Sequence, residues 1–245
     1  MCFVSYVPLA GGFLLGSNRD EYLQRVPASE PDVSATRFGC LLSPRDGKAG
    51  GTWIAVRDDG YAAVLLNGGR EPHIYSPPYS RSRGTIIPEI MQAARPDIAM
   101  QHVDLKGVEP FTLVVANGAH LVEMVWNGNV RSVEAADTLK PFCRSSATLY
   151  DTEQQGKRAA WFMEQWEAGT FASAGELAKW HSKGGFGPAT YDIRMQRTGG
   201  LLTVSTTVVE VIQGKAIMKY IDHLGQPDHG HEDDALLTSK YFSLT

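Results

Sequence analysis

The residues near the start of the chain that can do chemistry are Cys2 and the charged tetrapeptide NRDE at 18–21. After removal of Met1, an N-terminal cysteine carries a thiol with a pKa of about 8.5 beside an α-amine with a pKa of about 8, so the amine can take the thiol proton. Arg19 would favour the thiolate. Asp20 would hold the protonated amine, because a buried ammonium requires a paired charge. The pattern predicts a cysteine nucleophile that is activated by its own amine.

Asn67 is a candidate for stabilising the oxyanion of an acyl-transfer reaction. It ends an apolar run and begins the sequence NGG at 67–69, where a strand gives way to open backbone. A backbone N–H or the side-chain amide at this position could donate to an oxyanion. Each feature also has a structural interpretation, since NGG is typical of a turn and NRDE is typical of a solvated salt-bridge cluster. Their combination with Cys2 favours a site.

A β-hairpin would return the tetrapeptide to the start of the chain. Residues 2–9 and 13–17 are rich in Val, Leu and aromatic residues, and the pair Gly11 and Gly12 between them indicates a turn. A turn centred near Gly11 places position 2 opposite about position 20. Directly opposed residues lie about 5 Å apart.

The hairpin gives two expectations for side chains. Cys2 should lie beside Asp20 or Arg19. Successive residues of a strand face opposite sides of the sheet, so if Asp20 shares the face of Cys2, Glu21 should point away, towards Arg25 or solvent.

The rest of the sequence predicts many antiparallel strands and a few helices. Further strands are predicted at 53–56, 61–66, 111–116, 121–126, 201–212 and 216–221. Helices are predicted at 83–94, 154–169 and 173–183, the last with Ser173 and Glu176 as a capping box. This content is typical of an α+β fold in which two antiparallel sheets pack face to face with helices outside. No long linker or repeat divides the chain, which predicts a single domain over 1–245.

Composition and charge argue against several classes of function. The net charge of −4 is mild, and the 23 Lys and Arg form no stripe, so nucleic acid is not an expected partner. No apolar run reaches the ~18 residues of a membrane span, and the N-terminus lacks the basic region and continuous apolar helix of a signal peptide. We therefore expect a cytoplasmic protein.

Metal and cofactor sites find little support in the sequence. The three cysteines, Cys2, Cys40 and Cys143, are too few and too far apart for a disulfide framework or a metal knuckle. His229 and His231 in HGHEDD have a metal-like composition, but a flexible acidic segment is the better interpretation. No metal and no cofactor are expected.

Several motifs together resemble the NRDE family, also called Transport and Golgi organisation proteins. They are MC at the start, SNRDE at 17–21, RD..AGGTWIAV at 45–56, VLLN ending at Asn67 and SRG at 82–84. These motifs cover the first third of the chain closely. The NRDE family is in turn similar to the N-terminal nucleophile hydrolases, especially the choloylglycine hydrolase and penicillin V acylase group. The resemblance implies a four-layer αββα sandwich.

The resemblance also implies roles for single residues. Cys2 would be the nucleophile, Asp20 would contact its amine and Asn67 would help to form the oxyanion hole. Arg19, assigned to the catalytic set from its charge, approaches from the other side of the motif than the hydrolase arginine does. In place of a later oxyanion asparagine of the hydrolases, the segment CRSSATLY offers two serines. The residues assigned to substrate binding are Asn18, Arg83, Ser145 and Ser146.

Two functions follow as hypotheses. The first is an amidohydrolase that cleaves a C–N amide bond of a small acylated substrate through a thioester at Cys2. The alternative is a noncatalytic carrier or chaperone that uses the same cleft for haem or an acyl ligand. Ser17 and Val204 stand where the hydrolases carry an arginine, and the loss of a positioned charge would weaken transition-state stabilisation. The sequence makes no prediction of the oligomeric state.

Overall fold

The structure is a computed structural model that describes residues 3–213, 215–224 and 237–243, the last segment by its backbone. Two antiparallel sheets dominate it. The first sheet contains, from edge to edge, β10 (Phe142–Ser145), β1 (Phe3–Leu9), β2 (Gly12–Tyr22), β11 (Leu201–Ile212), β12 (Lys215–Asp222) and β13 (Leu237–Ser243). The second sheet contains β3 (Ser29–Thr36), β4 (Gly39–Arg45), β5 (Ile54–Arg57), β6 (Ala62–Asn67), β7 (Phe111–Ala116), β8 (Leu121–Trp126) and β9 (Arg131–Ala136).

The two sheets pack face to face through an apolar core. On β1, Val4 and Tyr6 point into this core, where they meet side chains of the second sheet such as Ile54 and Val64. Phe3 and Val7 alternate with them and point to the outer face of the first sheet. The alternation of β1 therefore separates the inter-sheet core from the helix-covered face.

Helices cover both outer faces. Helices α3 (Thr152–Glu167) and α4 (Ala174–Lys183) pack on the first sheet, and the short helices α1 (Ile86–Ile90) and α2 (Pro96–Ala99) lie on the second sheet. Ser173 caps α4 as predicted, since its side chain accepts the N–H of Glu176. The four layers confirm the predicted α+β sandwich of αββα type.

The helix predicted over 83–94 is much shorter in the structure. A 3₁₀ turn spans Arg83–Thr85, and α1 ends at Ile90. After Ile90, the N–H groups of Gln92 and Ala93 donate to carbonyls three residues back, and the buried guanidinium of Arg57 donates to the carbonyl groups of Met91, Ala93 and Ala94. The chain therefore leaves the α-helix for tighter turns after Ile90, and the predicted helix was wrong beyond this residue.

Several strands were not predicted. Strands β3, with the sequence SEPDVSAT, and β9, with RSVEAA, are polar edge strands without an apolar run, and pairing to the neighbouring strand defines them. β2 also extends to Tyr22, five residues beyond the predicted end, so the NRDE tetrapeptide lies within a strand. Over the ranges that the structure describes, no helix is long and apolar enough to cross a membrane.

Candidate functional site

The predicted hairpin of β1 and β2 is present, with a register one residue away from the expected one. Phe3 lies opposite Asn18, and the turn consists of Ala10 and Gly11, the latter with φ of +79°. Gly12, which was expected in the turn, is the first residue of β2. A Cβ at this position would lie 1.8 Å from a backbone oxygen of β11, so only glycine fits there.

Three predicted segments meet at the start of β1. Phe3 pairs with Asn18 of β2 on one side and with Ser145 of β10 on the other. Ser146 follows and donates its hydroxyl to the backbone oxygen of Asn67, at 2.7 Å, which connects this end of the first sheet to the second sheet. Cys2, the predicted nucleophile, lies outside the described residues.

Arg19 projects between the two sheets. Its Nη2 lies 2.7 Å from Oδ2 of Asp46, and its Cζ lies 5.0 Å from the centre of the Trp53 ring. The carboxylate of Glu21 is 3.7 Å from the same guanidinium and 3.3 Å from that of Arg25. Glu21 thus points towards Arg25, on the face of β2 opposite that of Asp20.

Asp46 holds this cluster together, although it was not predicted as a site residue. Its carboxylate accepts from Arg19, from both Nε and Nη2 of Arg25, and from the backbone N–H groups of Lys48 and Ala49. Burial alone would raise the pKa of Asp46, but the hydrogen bonds from Arg25, Ala49 and Arg19 hold it well below its usual range. The signal in the sequence is the RD pair at 45–46, which belongs to the family motif.

Asp20 lies on the opposite face of β2, towards the helices. It is buried, and its two oxygens accept from the hydroxyl of Tyr150 at 2.8 Å and from that of Thr203 at 2.6 Å. These hydrogen bonds fix the position of the carboxylate. Neither Tyr150 nor Thr203 carried a local motif that would have marked it as a partner of Asp20.

Asn18 lies on the same face as Asp20 and is fully buried. Its amide nitrogen donates to the carbonyls of His181 and Ile193, both at 2.9 Å, and its oxygen accepts from Thr206 at 2.9 Å and faces Nδ1 of His181 at 3.1 Å. All four hydrogen-bonding positions of the amide are used. The amide of Asn18 is thus fully engaged within the protein, and its role in substrate binding stays a prediction.

His181 completes a buried polar triplet with Asn18 and Ser5. The amide oxygen of Asn18 only accepts, so Nδ1 of His181 carries the proton and Nε2 accepts from the hydroxyl of Ser5 at 2.8 Å. Burial, with a smaller contribution from the charge of Arg158, lowers the pKa of His181 to about 3. The imidazole is thus a neutral structural group, and its long distance in sequence from Ser5 concealed it.

The other predicted residues occupy different positions around the site. Ser145 is buried and accepts from Nε of Arg158 at 2.9 Å. Arg83 lies on the 3₁₀ turn, donates to the backbone oxygen of Pro110 and forms an ion pair with Glu109 at 3.2 Å. Of Ser145 and Arg83, only Arg83 lines a cavity beside Arg19.

Two cavities flank Arg19, Glu21 and Arg25, which line both. The Asn67 cavity has a volume of about 120 Å³, and its further lining residues include Asp46, Thr52, Trp53, Asn67, Ser82 and Arg83. The Val204 cavity has a volume of about 190 Å³, and its further lining residues include Tyr22, Ala28, Val204, Ser205, Tyr220 and Leu224. Arg19, Asn67 and Arg83 thus line the same cavity. Asp20 and Ser145 line neither of the two cavities.

No group of three or more His, Cys, Asp or Glu side chains that could hold a metal ion occurs among the residues that the structure describes. The HGHEDD segment at 229–234 lies outside those residues.

Comparison with solved structures identifies the fold. Penicillin V acylase from Agrobacterium tumefaciens is similar with a TM-score of 0.54 and 8% identity, over 100% of this chain and 86% of that one. The Caenorhabditis elegans ortholog of N-acylethanolamine-hydrolyzing acid amidase is similar with a TM-score of 0.55 and 13% identity, over 84% and 92%. A variant of conjugated bile acid hydrolase from Clostridium perfringens gives a TM-score of 0.54 and 9% identity, over 100% and 98%.

These similarities concern the fold, which is that of the N-terminal nucleophile hydrolases. A search of curated protein sequences finds no match. The family model of Transport and Golgi organisation 2 matches residues 1–168, which is more than half of the chain. The chain therefore belongs to the Transport and Golgi organisation 2 family.

Proposed function

We propose that the chain is an amidohydrolase that cleaves a C–N amide bond of a small acylated substrate through Cys2. The observation that carries the proposal is the register of the hairpin, in which Phe3 lies opposite Asn18. Consecutive Cα atoms are about 3.8 Å apart, and this register supports a reaction in which Cys2 acts together with Arg19 and Asp20. The three similar structures are named an acylase, a hydrolyzing amidase and a hydrolase, which supports hydrolysis as the reaction class.

The proposed reaction begins when Met1 has been removed. The free α-amine of Cys2 takes the thiol proton, and the sulfur attacks the carbonyl carbon of the amide. The C–N bond breaks, the α-ammonium returns its proton to the leaving amine, and a thioester remains. Water then gives a proton to the α-amine of Cys2 and attacks the carbonyl carbon of the thioester. The C–S bond breaks, a carboxylic acid leaves, and the α-ammonium returns the proton to the sulfur to restore the thiol.

The side chain of Asn67 is the oxyanion donor in this proposal. Its backbone oxygen is already bound by Ser146, and the N–H of Gly68 donates to the carbonyl of Pro110 at 3.0 Å. Asn67 lines the cavity together with Arg19, which would favour the thiolate. Asp20, fixed by two hydroxyl groups, would orient the α-ammonium.

The size of the cavities supports a small substrate. Volumes of about 120 and 190 Å³ are below the ~300 Å³ or more that is usual for pockets that enclose a drug-sized ligand. A short acyl group fits this space better than a haem macrocycle does. Binding of a ligand without its hydrolysis would instead support the hypothesis of a noncatalytic carrier.

The test is intact-mass spectrometry of the native protein after exposure to butyryl and octanoyl anilides and to penicillin V. We expect a chain without Met1, a transient acyl adduct on the wild type, and a rate that falls by about 10³-fold or more in Cys2→Ala. Cys143→Ala is the matched control, because burial raises the pKa of the Cys143 thiol to about 12 and keeps it protonated. Retention of Met1, or full turnover by Cys2→Ala, would contradict the proposal.

A further inference from the structure

The Val204 cavity lies where the pairing of β11 with β2 is irregular, and the proposed reaction assigns no task to it. Thr203 pairs with Asp20 of β2. The next pair is Ser205 with Arg19, which leaves Val204 as an extra residue on β11. Such a β-bulge redirects side chains and is common beside functional sites. The side chain of Val204 is buried and lines the cavity together with Arg19.

Much of the lining of this cavity is apolar. It includes the buried side chains of Val204 and Tyr220, and also Pro27 and Ala28. Burial, with a smaller contribution from the charge of Asp222, raises the pKa of Tyr220, so the phenol is neutral at neutral pH. If each non-hydrogen atom takes the ~30 Å³ of a water molecule, the volume of about 190 Å³ holds on the order of six atoms. The size of the cavity matches a six-membered ring.

The charged side chains of the lining are balanced, since two of them are cations and two are anions. They are Arg19, Arg25, Glu21 and Asp222. Asp46 binds both guanidinium groups, so the cavity offers no surplus positive charge to an anion. A charged ligand group would therefore lose its hydration here without compensation.

A neutral amide suits this pair of opposite charges better than an ion does. Arg25 is half-buried and Asp222 is exposed, so both are accessible from solvent. One carboxylate oxygen of Asp222 accepts from the N–H of Leu224 at 2.9 Å. The carbonyl of an amide accepts from a guanidinium, and its N–H donates to a carboxylate. The charged groups therefore favour an uncharged ligand group that both donates and accepts.

We propose that the Val204 cavity binds an uncharged aromatic amide, with the ring against Val204 and Tyr220 and the amide between Arg25 and Asp222. Tyr22 and Leu224 line the same cavity and are 53% and 44% exposed, so a bound ring would remove apolar surface from water. Binding here involves no covalent step. The inference therefore goes beyond the proposed hydrolysis and does not depend on Cys2.

The test compares three probes of equal size and different charge. Benzamide, benzoate and benzamidine have the same number of non-hydrogen atoms, and near neutral pH they are neutral, anionic and cationic. Their dissociation constants are measured by ligand-observed NMR titration of full-length Cys2→Ala protein, so that a reaction at the thiol does not consume the amide. We expect benzamide to bind about 10-fold or more tightly than either ion. A charged probe that binds as tightly as benzamide overturns the inference.

Filling the cavity tests where the amide binds. Ala28 lines only the Val204 cavity of the two, and Ala49 lines only the Asn67 cavity, so Ala28→Phe and Ala49→Phe are a matched pair. We expect the dissociation constant of benzamide to rise about 10-fold or more in Ala28→Phe and to stay within about 2-fold in Ala49→Phe. Equal losses of affinity in the two variants overturn the inference.

Asp222→Asn tests the balance of charge and decides the matter if Ala28→Phe does not fold. It removes one exposed carboxylate, so the dissociation constant of benzoate relative to that of benzamidine should fall about 5-fold. Asp137→Asn, at an exposed position that lines neither cavity, is the control and should leave this ratio unchanged. An unchanged ratio in Asp222→Asn overturns the inference. Selective binding of benzamide without hydrolysis of any amide by the wild type would contradict only the proposed function.

Discussion

The two faces of β2 use their polar side chains in different ways. On the helix side, Asn18 has all four hydrogen-bonding positions filled, and Asp20 is held by two hydroxyl groups. On the inter-sheet side, Arg19 and Glu21 line two cavities. We call the helix side of β2, with Asn18 and Asp20, the scaffold face, and the inter-sheet side, with Arg19 and Glu21, the cleft face. Strand alternation alone separates them.

The scaffold face should be the more costly one to disturb. Asn18→Ala leaves the partners on Thr206, His181 and Ile193 without their bonds in a fully buried site, and we expect the free energy of unfolding to fall by about 3 to 5 kcal/mol. Urea denaturation measures this change. Asn129→Ala, at an exposed turn position, is the control and should cost less than about 0.5 kcal/mol. A loss below about 1 kcal/mol for Asn18→Ala would show that the two faces are energetically alike.

The same face should make stability sensitive to mild acid. The pKa of His181 is about 3 in the folded protein, below its ordinary value of 6.5, so the unfolded chain takes up a proton first as pH falls. The contribution is fully present above pH 6.5 and is lost as pH falls towards 3, amounting to about 2 kcal/mol between pH 7.5 and 5. We expect His181→Gln to show a pH dependence that is shallower by this amount in urea denaturation at both pH values. His102→Gln, at an exposed position, should match the wild type.

Gly16→Ala tests how tightly the side chains of Ser5 and His181 pack on the scaffold face of β2. A Cβ at Gly16 would lie 2.7 Å from both Nε2 of His181 and the hydroxyl oxygen of Ser5, so the triplet must shift. We expect a loss of about 1 to 2 kcal/mol in the free energy of unfolding. Gly156→Ala on α3, where nothing lies within 4 Å of the new Cβ, should instead stabilise the protein by about 0.5 to 1 kcal/mol. An unchanged free energy of unfolding in Gly16→Ala would show that the triplet of Ser5, Asn18 and His181 is loosely packed.

The smallest effect is expected on the cleft face. Glu21→Gln removes one carboxylate from a partly exposed ion-pair cluster in which Asp46 still binds both Arg19 and Arg25. The free energy of unfolding should change by less than about 0.5 kcal/mol in urea denaturation. The rate at which iodoacetamide alkylates Cys2, measured with Cys40 and Cys143 replaced by alanine, should also stay unchanged in Glu21→Gln, whereas Asp20→Asn should slow alkylation. Slower alkylation of Cys2 in Glu21→Gln than in Asp20→Asn would show that Glu21, and not Asp20, acts on Cys2.

The hairpin and the two-sheet architecture were predictable because they depend on local signals, namely apolar alternation and a glycine-containing turn. The register was wrong by one residue, since Gly12 is required by the approach of β11 rather than by the turn. That contact joins segments almost 200 residues apart, and no local pattern reports it. The same holds for His181, which meets Asn18 and Ser5 only in the folded sheet.

Asp46 illustrates a different limit of the sequence. Its motif was recognised, but its role depends on two arginines, Arg19 within β2 and Arg25 just after it, so the residue type alone could not show which charges it binds. The helix predicted over 83–94 ends early at Ile90, and the carbonyls of Met91 and Ala93 beyond it accept from Arg57 on a separate strand, a contact that no local pattern reports. Side chains that act across layers were the part that sequence reasoning missed.

The order of strands in the first sheet has a consequence for synthesis of the chain on the ribosome. The β1–β2 hairpin is made first, but its neighbours β10 and β11 begin only at Phe142 and Leu201. At about 5 to 20 residues per second, the edge of β2 that pairs with β11 stays unpaired for roughly 10 to 40 seconds after Tyr22 has been added. An apolar hairpin with open edges is prone to pair with other chains. We therefore expect nascent chains that are halted before Leu201 to depend on ribosome-associated chaperones to remain unaggregated.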